Sequence, residues 1–298
     1  MIDHDSPYAD APGDDNPFAP LRMPVPPLAI DIPPPAKRTP SRDRLLRALL
    51  WGDTHYPYQD DRAVSIVEQI AKDTQPDVLV HMGDGVDAGD LSLKFKQNPD
   101  RESTLQDEIN LMRFHLARMR LACPDADFFA LEGNHEQRLA RLLWELEGPS
   151  KALAHLTEVR RVLTWPVLLG LDQLRVRWVP MAEQSKTEIL PKWIVKHGTV
   201  VRTKSAYTAA AEWMKYGKSG SSGHTHRLGM FAHRDHNGNH FWVETGCTCD
   251  LNPEYTTDPD WQQGAVFLAF DPTTGAMAIE PIYIHNGLAV FRDTIYQG

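Results

Sequence analysis

The chain of 298 residues carries 31 Lys plus Arg against 40 Asp plus Glu, a formal charge of −9, with 42% hydrophobic and 24% charged residues. That balance belongs to a globular protein with one large α/β domain or two ordinary ones, long enough to bury a core without disulfide staples. Its three cysteines point to a reducing compartment, and its acid excess argues against a general DNA-coating or anionic-membrane protein.

The first forty residues hold eleven of the 23 prolines, and six Asp against Arg22 alone place −5 of the charge before residue 37. Proline at that density excludes regular helix and central strand. Residues 1–44 therefore read as a proline-rich acidic extension, with residues 45–298 as the folded domain. Leu21, Met23, Val25, Leu28, Ile30 and Ile32 are more apolar than a linker needs, so part of the extension is able to lie across the body; its protein partner is unspecified. The acidic start lacks a basic n-region and no apolar run approaches the ~18 residues of a spanning helix, so neither signal peptide nor membrane partner is expected and the location is cytoplasmic.

From Leu45 onward short apolar runs alternate with amphipathic stretches. Arg47 to Trp51, Asp77 to His81 and Asp127 to Leu131 are predicted buried strands. Between them, Val64, Val67, Ile70 and Ala71 share one helical face, and Leu105, Ile109, Met112, Leu116 and Met119 recur along a helix that Pro124 follows. Strand and helix in alternation imply a sheet with parallel character and right-handed crossovers. Gln137 to Pro166 is predicted mostly helical. Strands return at Leu174 to Pro180 and Trp193 to His197, and a short helix covers Ala206 to Tyr216. The remainder is β-rich: Leu228 to His233, His240 to Thr245, Ala265 to Phe270, Ala276 to Ile284 and Leu288 to Ile295, with hairpin turns at Asn237-Gly238 and Thr274-Gly275.

Five motifs fall where strands end: Asp53-Thr-His55, Gly83-Asp84-Gly-Val-Asp87, Gly133-Asn134-His135-Glu136, Lys196-His197-Gly198 and Gly223-His224-Thr-His226. Ligands gather at the carboxyl ends of strands in open α/β sheets, so these segments are able to converge. Carboxylates, an amide oxygen and imidazoles together suit two divalent transition ions rather than Ca²⁺ or Mg²⁺ alone, and thiolates of a structural zinc site are missing from the set. In an extended segment residues two apart face one side, so Asp53 and His55 are expected to grip one ion together, and His224 and His226 share that spacing. Asp84, directly after an apolar strand, is placed to bridge two ions.

In this order the motifs resemble the signature of the calcineurin-like metallophosphoesterases, from Leu45 to about Phe291. The resemblance implies an α/β fold, a four-layer αββα sandwich of two mainly mixed sheets flanked by helices, with the site at one edge. It implies two divalent metal ions as cofactors, Mn²⁺ first, with Zn²⁺, Fe²⁺, Ni²⁺ or Co²⁺ as alternatives. Asp53, His55, Asp84 and His226 would hold one ion, and Asp84, Asn134, His197 and His224 the other. His135 would face the scissile phosphate, stabilising charge or protonating the leaving oxygen, with Asp87 orienting its imidazole. Glu136 stands where many members carry Asp. The implied reaction is hydrolysis of a phosphoester by a metal-activated hydroxide.

Substrate choice is less determined. Gly223 to Arg227 with Gly246-Cys-Thr-Cys-Asp250 resembles phage and prophage phosphoesterases grouped with repair exonucleases of the SbcD type, which makes a phosphodiester of DNA or a nucleotide the leading substrate. The alternatives are a phosphomonoesterase acting on a small metabolite and a non-catalytic metal-binding interaction protein. Two basic segments bear on this: Ser185 to Lys204, with Lys186, Lys192, Lys196, Arg202 and Lys204, and the helical trio Arg113, Arg118 and Arg120. Each reads as solvated surface or as nucleic-acid contact. Tyr56, Tyr58, Phe95, Trp193, Tyr207 and Tyr255 are candidate stacking platforms that core packing explains equally well. Only 72 residues follow His226, too few for a separate DNA-capping domain beside the second sheet. Cys247 and Cys249 read as a buried loop rather than a metal or redox site, and His81 as a core residue.

Overall fold

The structure, a computed structural model, describes residues 32–34, 44–94, 103–253 and 258–298. Most of the proline-rich extension, together with Phe95 and Tyr255, lies outside the described residues. The chain divides into Met1–Asp31 and Ile32–Gly298, and all that follows concerns the second unit.

The first half builds a parallel core. Strand β1 (Leu46–Trp51) leads to helix α1 (Asp61–Thr74), β2 (Val78–His81), α2 (Leu105–Ala122) and β3 (Asp127–Leu131). Helices α3 (Gln137–Glu145), α4 (Gly148–Ala154), α5 (Thr157–Val162), α6 (Trp165–Leu168) and α7 (Leu171–Leu174) then precede β4 (Val176–Val179). β1 to β4 pair in parallel, which requires the crossovers that α1 and α2 provide. Asp60 caps α1 by accepting from Arg62 N at 2.9 Å, and Thr104 with Asp107 forms a capping box on α2. The apolar faces of both helices are buried as their spacing requires.

The second half follows with α8 (Met181–Gln184), β5 (Glu188–Leu190), β6 (Trp193–Lys196), α9 (Tyr207–Tyr216), β7 (Ser219–Ser222), β8 (Leu228–Asp235) and β9 (Gly238–Thr245). It ends with β10 (Gly264–Phe270), β11 (Met277–His285), β12 (Leu288–Phe291) and β13 (Thr294–Gln297). One sheet runs β13-β12-β11-β10-β1-β2-β3-β4 and the other β5-β6-β7-β9-β8, and both mix parallel with antiparallel pairs. Leu50, Val80, Phe129 and Leu131 of the first sheet share a core with Trp193, Val195, Leu228 and Val243 of the second. Helices α1 and α2 cover the outer face of the first sheet, and α9 packs on Ile194 and Trp242 of the second, which completes four layers. No helix among the described residues is long and apolar enough to cross a membrane.

Several expectations need correction. Leu288 to Ile295 is a hairpin rather than one strand, because Arg292 turns the chain at φ 54° without a glycine to announce it. Leu174 ends α7 instead of opening β4. β7, Ser-Gly-Ser-Ser, lies in the middle of its sheet although nothing in it is a strand former. The tryptophans on its neighbours explain this: Trp193 Nε1 donates to Ser221 Oγ at 3.1 Å and Trp242 Nε1 to Ser222 Oγ at 3.0 Å. A side chain at Gly220 would run into Ile194 and Trp242, so the strand must be small and hydroxylic.

The arginine trio of α2 is not a surface patch. Arg113 and Arg120 are buried, and Arg120 donates to the carbonyls of Leu174 (3.0 Å), Ala126 (2.7 Å) and Arg175 (2.7 Å), while Arg118 pairs with Glu68. The guanidinium thereby satisfies carbonyls at the ends of α7 and of the α2–β3 turn that would otherwise lack donors. Lys196 is likewise buried, 3.1 Å from Glu212, so the second basic segment loses its central member. Tyr56 and Trp193 are core residues rather than stacking platforms, whereas Tyr207 is exposed.

His81 is a core residue, 3.1 Å from Thr54 Oγ1, and burial drives its pKa down to about 3 with His115 adding to the shift. The unfolded chain protonates this imidazole near pH 6.5, so the folded state loses stability as pH falls from about 6.5 toward 3, by ~1.4 kcal/mol per pH unit. His81→Gln is expected to remove about that much slope from the stability profile between about pH 6 and pH 4, measured by urea unfolding. An unchanged slope would mean that the folded state tolerates the charged ring.

Candidate metal centre

Loops following β1, β2 and β3 on one sheet and β6 and β7 on the other meet at one edge of the sandwich. Backbone bonds tie the first two together: Asp53 N donates to Gly83 O at 3.0 Å, Thr54 N to Asp84 O at 2.9 Å and His55 N to Asp84 O at 3.0 Å. Asp53, His55, Asp84, His224 and His226 all adopt left-handed backbone, with φ between 48° and 71°. For non-glycine residues that conformation is uncommon and persists where surrounding contacts enforce it. It also corrects the expected extended geometry: Asp53 and His55 approach each other through a turn rather than by strand alternation.

Two glycines make the convergence possible. A side chain at Gly133 would strike the Asp84 carboxylate and backbone, and one at Gly223 would strike the Asp53 carboxylate. Glu136 fastens the third loop to the second, accepting from the amides of Asp84 (3.0 Å), Gly85 (2.8 Å) and Gly133 (2.8 Å). Trp165 Nε1 in turn donates to Glu136 O at 2.6 Å, which anchors the helical segment to the loop.

The side chains form two adjoining groups. In one, His226 Nε2 stands 3.1 Å from His55 Nε2 and 3.3 Å from Asp53 Oδ1. In the other, His197 Nε2 lies 3.2 Å from Asp84 Oδ2 and 3.0 Å from Asn134 Oδ1, and the His224 ring packs edge-on to His197. Candidate ligand atoms within each of the sets Asp53/His55/His226 and Asp84/His197/His224 lie within 4.8 Å of one another. Asp84 Oδ2 joins them, being also 3.7 Å from His55 Nε2. Beside the pair, Asp87 sits between two imidazoles, with Oδ1 3.4 Å from His55 Nδ1 and 3.2 Å from His135 Nδ1. His135 Nδ1 donates to Asp87 O at 2.6 Å.

The electrostatics are those of a cation site. Burial opposes ionisation of Asp84, yet His197 and His135 hold its pKa well below the ordinary range; Asp53 is likewise lowered by His226 against its burial. Burial works against a charge on His197, but Asp84 carries it up to about 10, while burial and His197 press His224 down to about 4. Burial lowers His55, and burial with Asp84 raises Glu136 to about 7. The protein alone thus recruits a proton onto His197 to balance buried carboxylates, a demand that cations meet directly. Facing imidazole nitrogens at 3.1 Å require a proton or an ion between their lone pairs. Oxygen and nitrogen donors converging in this way fit divalent transition ions.

Every residue expected at the site from the sequence stands there, and the structure adds others. Arg138 Nη2 lies 3.1 Å from His135 Nε2 and its Nη1 donates to Asp87 O at 2.7 Å. The spacing His135-x-x-Arg138 on a helix start was the available signal, since residues three apart share a face. A cavity of about 270 Å³ opens beside Asn134 and Arg138, lined further by Lys94, Arg141 and Glu145. Trp261, placed 4.1 Å from the His226 ring, had no local motif to mark it.

This fold with this site defines a calcineurin-like phosphoesterase. The model of that family matches residues 46–258, and the chain belongs to it. Among curated relatives, the Gene 54 proteins of Mycobacterium phages D29 and L5 are each 29% identical over 238 residues, covering 76% of this chain and 89% of theirs. Among solved structures, vacuolar protein sorting 29 from Cryptosporidium parvum is 12% identical with a TM-score of 0.43, covering 86% of this chain and 100% of that one. Yfce, a phosphoesterase from E. coli, is 12% identical with a TM-score of 0.34, covering 79% and 98%.

Proposed function

We propose that residues 45–298 form a hydrolase of phosphodiesters that works with two divalent ions, Mn²⁺ first, on DNA or a nucleotide. The observation that carries this reading is Asp84 Oδ2, within 3.2 Å of His197 Nε2 and 3.7 Å of His55 Nε2, at the junction of two donor groups. Asp53, His55, Asp84 and His226 would hold one ion and Asp84, Asn134, His197 and His224 the other. Bound there, the ions would supply positive charge to phosphoryl oxygens and would lower the pKa of water toward neutrality.

The remaining steps belong to the chain. Asp87 fixes the His135 ring through Nδ1, leaving Nε2 toward the open side beside Arg138. Burial pulls His135 down, but Asp84 and Asp87 more than offset it, so the ring holds a proton more firmly than a free imidazole. Nε2 protonates the leaving oxygen once the Arg138 guanidinium, which can only donate, turns from Nε2 to the phosphate and leaves an Nε2–H in its place. Arg138 both braces Asp87 and presents a cation to the groove where Lys94 and Arg141 also stand. Arg138 and Arg141 at this groove suit a substrate with more than one phosphate, which favours a diester within a polynucleotide over a small monoester.

Hydrolysis of bis-p-nitrophenyl phosphate with added Mn²⁺, compared with p-nitrophenyl phosphate, tests the reaction. The diester is expected to be the better substrate, with activity removed by chelator. No turnover with Mn²⁺, Ni²⁺, Co²⁺ or Zn²⁺ would overturn the enzyme reading, and preference for the monoester would replace diesterase by monoesterase. Linear DNA against a panel of mononucleotides then decides the substrate class, with steep loss in salt expected for DNA.

A further inference from the structure

Behind the His226 ring, facing away from the other site residues, lie two thiols that the phosphoesterase reading leaves without a task. Cys247 and Cys249 are fully buried. Two backbone bonds and one side-chain bond hold them: Cys247 N donates to Gln262 O at 3.0 Å, Gly264 N to Cys247 O at 2.9 Å, and the Gln263 side-chain Nε2 to Cys249 O at 2.8 Å. Their sulfurs and a ring nitrogen of His226 all lie within 4.8 Å of one another. The expectation that this pair is a bland buried loop rested on its having no partner nearby in sequence; the fold supplies one from 21 residues upstream of Cys247.

We propose that Cys247, Cys249 and His226 Nδ1 form a third ion site, selective for thiophilic cations, whose occupation inhibits the adjoining centre. The distances fit: a tetrahedral ion with bonds of ~2.3 Å to sulfur and ~2.0–2.1 Å to nitrogen holds those donors ~3.6 Å apart. Cys249 Sγ and His226 Nδ1 stand 3.7 Å apart. Two sulfurs and one imidazole choose soft or borderline ions such as Cd²⁺, Zn²⁺ or Cu⁺ over Mn²⁺. Binding displaces the thiol protons to solvent.

Inhibition follows from the count of lone pairs on one imidazole, and this part rests on the proposed function. A neutral ring offers a single lone pair. When Nδ1 binds the thiophilic ion, the ring proton moves to Nε2, and the group formed with Asp53 and His55 loses a donor. The two uses of His226 therefore exclude each other, and a soft metal turns the enzyme off without touching its substrate groove.

The probe is Cd²⁺, followed by its thiolate charge-transfer absorption in the ultraviolet. One equivalent is expected to raise the band in the native chain and in Asp84→Asn and Cys123→Ser, and to raise none in Cys247→Ser or Cys249→Ser. Circular dichroism and thermal unfolding of the serine variants check that they are folded. In the Mn²⁺-loaded enzyme, the Cd²⁺ concentration for half inhibition is expected to rise by at least ~10-fold in Cys249→Ser, the loss that removing even an outer partner brings to a metal site. Absence of the band, or its survival in a folded Cys249→Ser protein, overturns the site. A band without relief of inhibition overturns the coupling through His226. Because the band needs no turnover, a chain that hydrolyses nothing still shows whether the third site exists, so the two readings fail separately.

Discussion

Asp84→Asn is expected to lower turnover of bis-p-nitrophenyl phosphate by at least ~10³-fold, with bound metal falling from two ions per chain to one or fewer. The carboxylate is the element shared by both donor groups, with Oδ2 3.2 Å from His197 Nε2 and 3.7 Å from His55 Nε2. An amide presents one neutral oxygen where two anionic ones stood, so a pair of ions held by these groups would lose its common anion. Metal charge on a phosphoryl transition state contributes several kcal/mol, which corresponds to about 10³ in rate or more. The fold should persist, because most bonds that tie Asp84 to its neighbours are made by its backbone, whose carbonyl accepts from Thr54 N and His55 N and whose amide donates to Glu136 at 3.0 Å, and the one its side chain makes, accepting from His135 N at 2.9 Å, is kept by an amide oxygen at Oδ1. Circular dichroism and metal analysis on the purified variant check both statements. A variant that keeps two ions and native turnover would show that Asp84 does not join the sites.

His135→Ala should behave differently, losing kcat by ~10²–10⁴ while retaining both ions. Its ring nitrogens are already engaged, Nδ1 with Asp87 O at 2.6 Å and Nε2 with Arg138 Nη2 at 3.1 Å, so an ion gains little from it. Protonation matters most when the leaving oxygen is a poor one. The loss is therefore expected to be smaller for a nitrophenolate than for the alkoxide released from DNA. An equal loss for both leaving groups would assign His135 to charge stabilisation instead. A fall in metal content would place it among the ligands, a role its closeness to His55 and Asp84 makes chemically feasible.

Legibility followed the range of the physical cause. The buried strands Leu46–Trp51, Val78–His81 and Asp127–Leu131 and the helices α1 and α2 were readable because hydrophobic periodicity is local, set by which face meets the core. β7 was not, since its serines are there to receive the indole N–H groups of Trp193 and Trp242, which other strands deliver. Arg113, Arg120 and Lys196 looked like surface cations for the same reason: a long basic side chain carries no sign in its own neighbourhood that carbonyls or Glu212 await it.

The sequence by itself determined the family and the chemical inventory of the site, because carboxylate, amide and imidazole at strand ends are short-range patterns whose types the reaction demands. Only the tertiary structure decided how they are used. It gave Asp53, His55, Asp84, His224 and His226 left-handed backbone, placed Asp84 between two donor groups and set Arg138 against His135. It also brought Cys249 behind His226. Those relations depend on angles and on contacts between loops from two sheets, and no stretch of chain contains them.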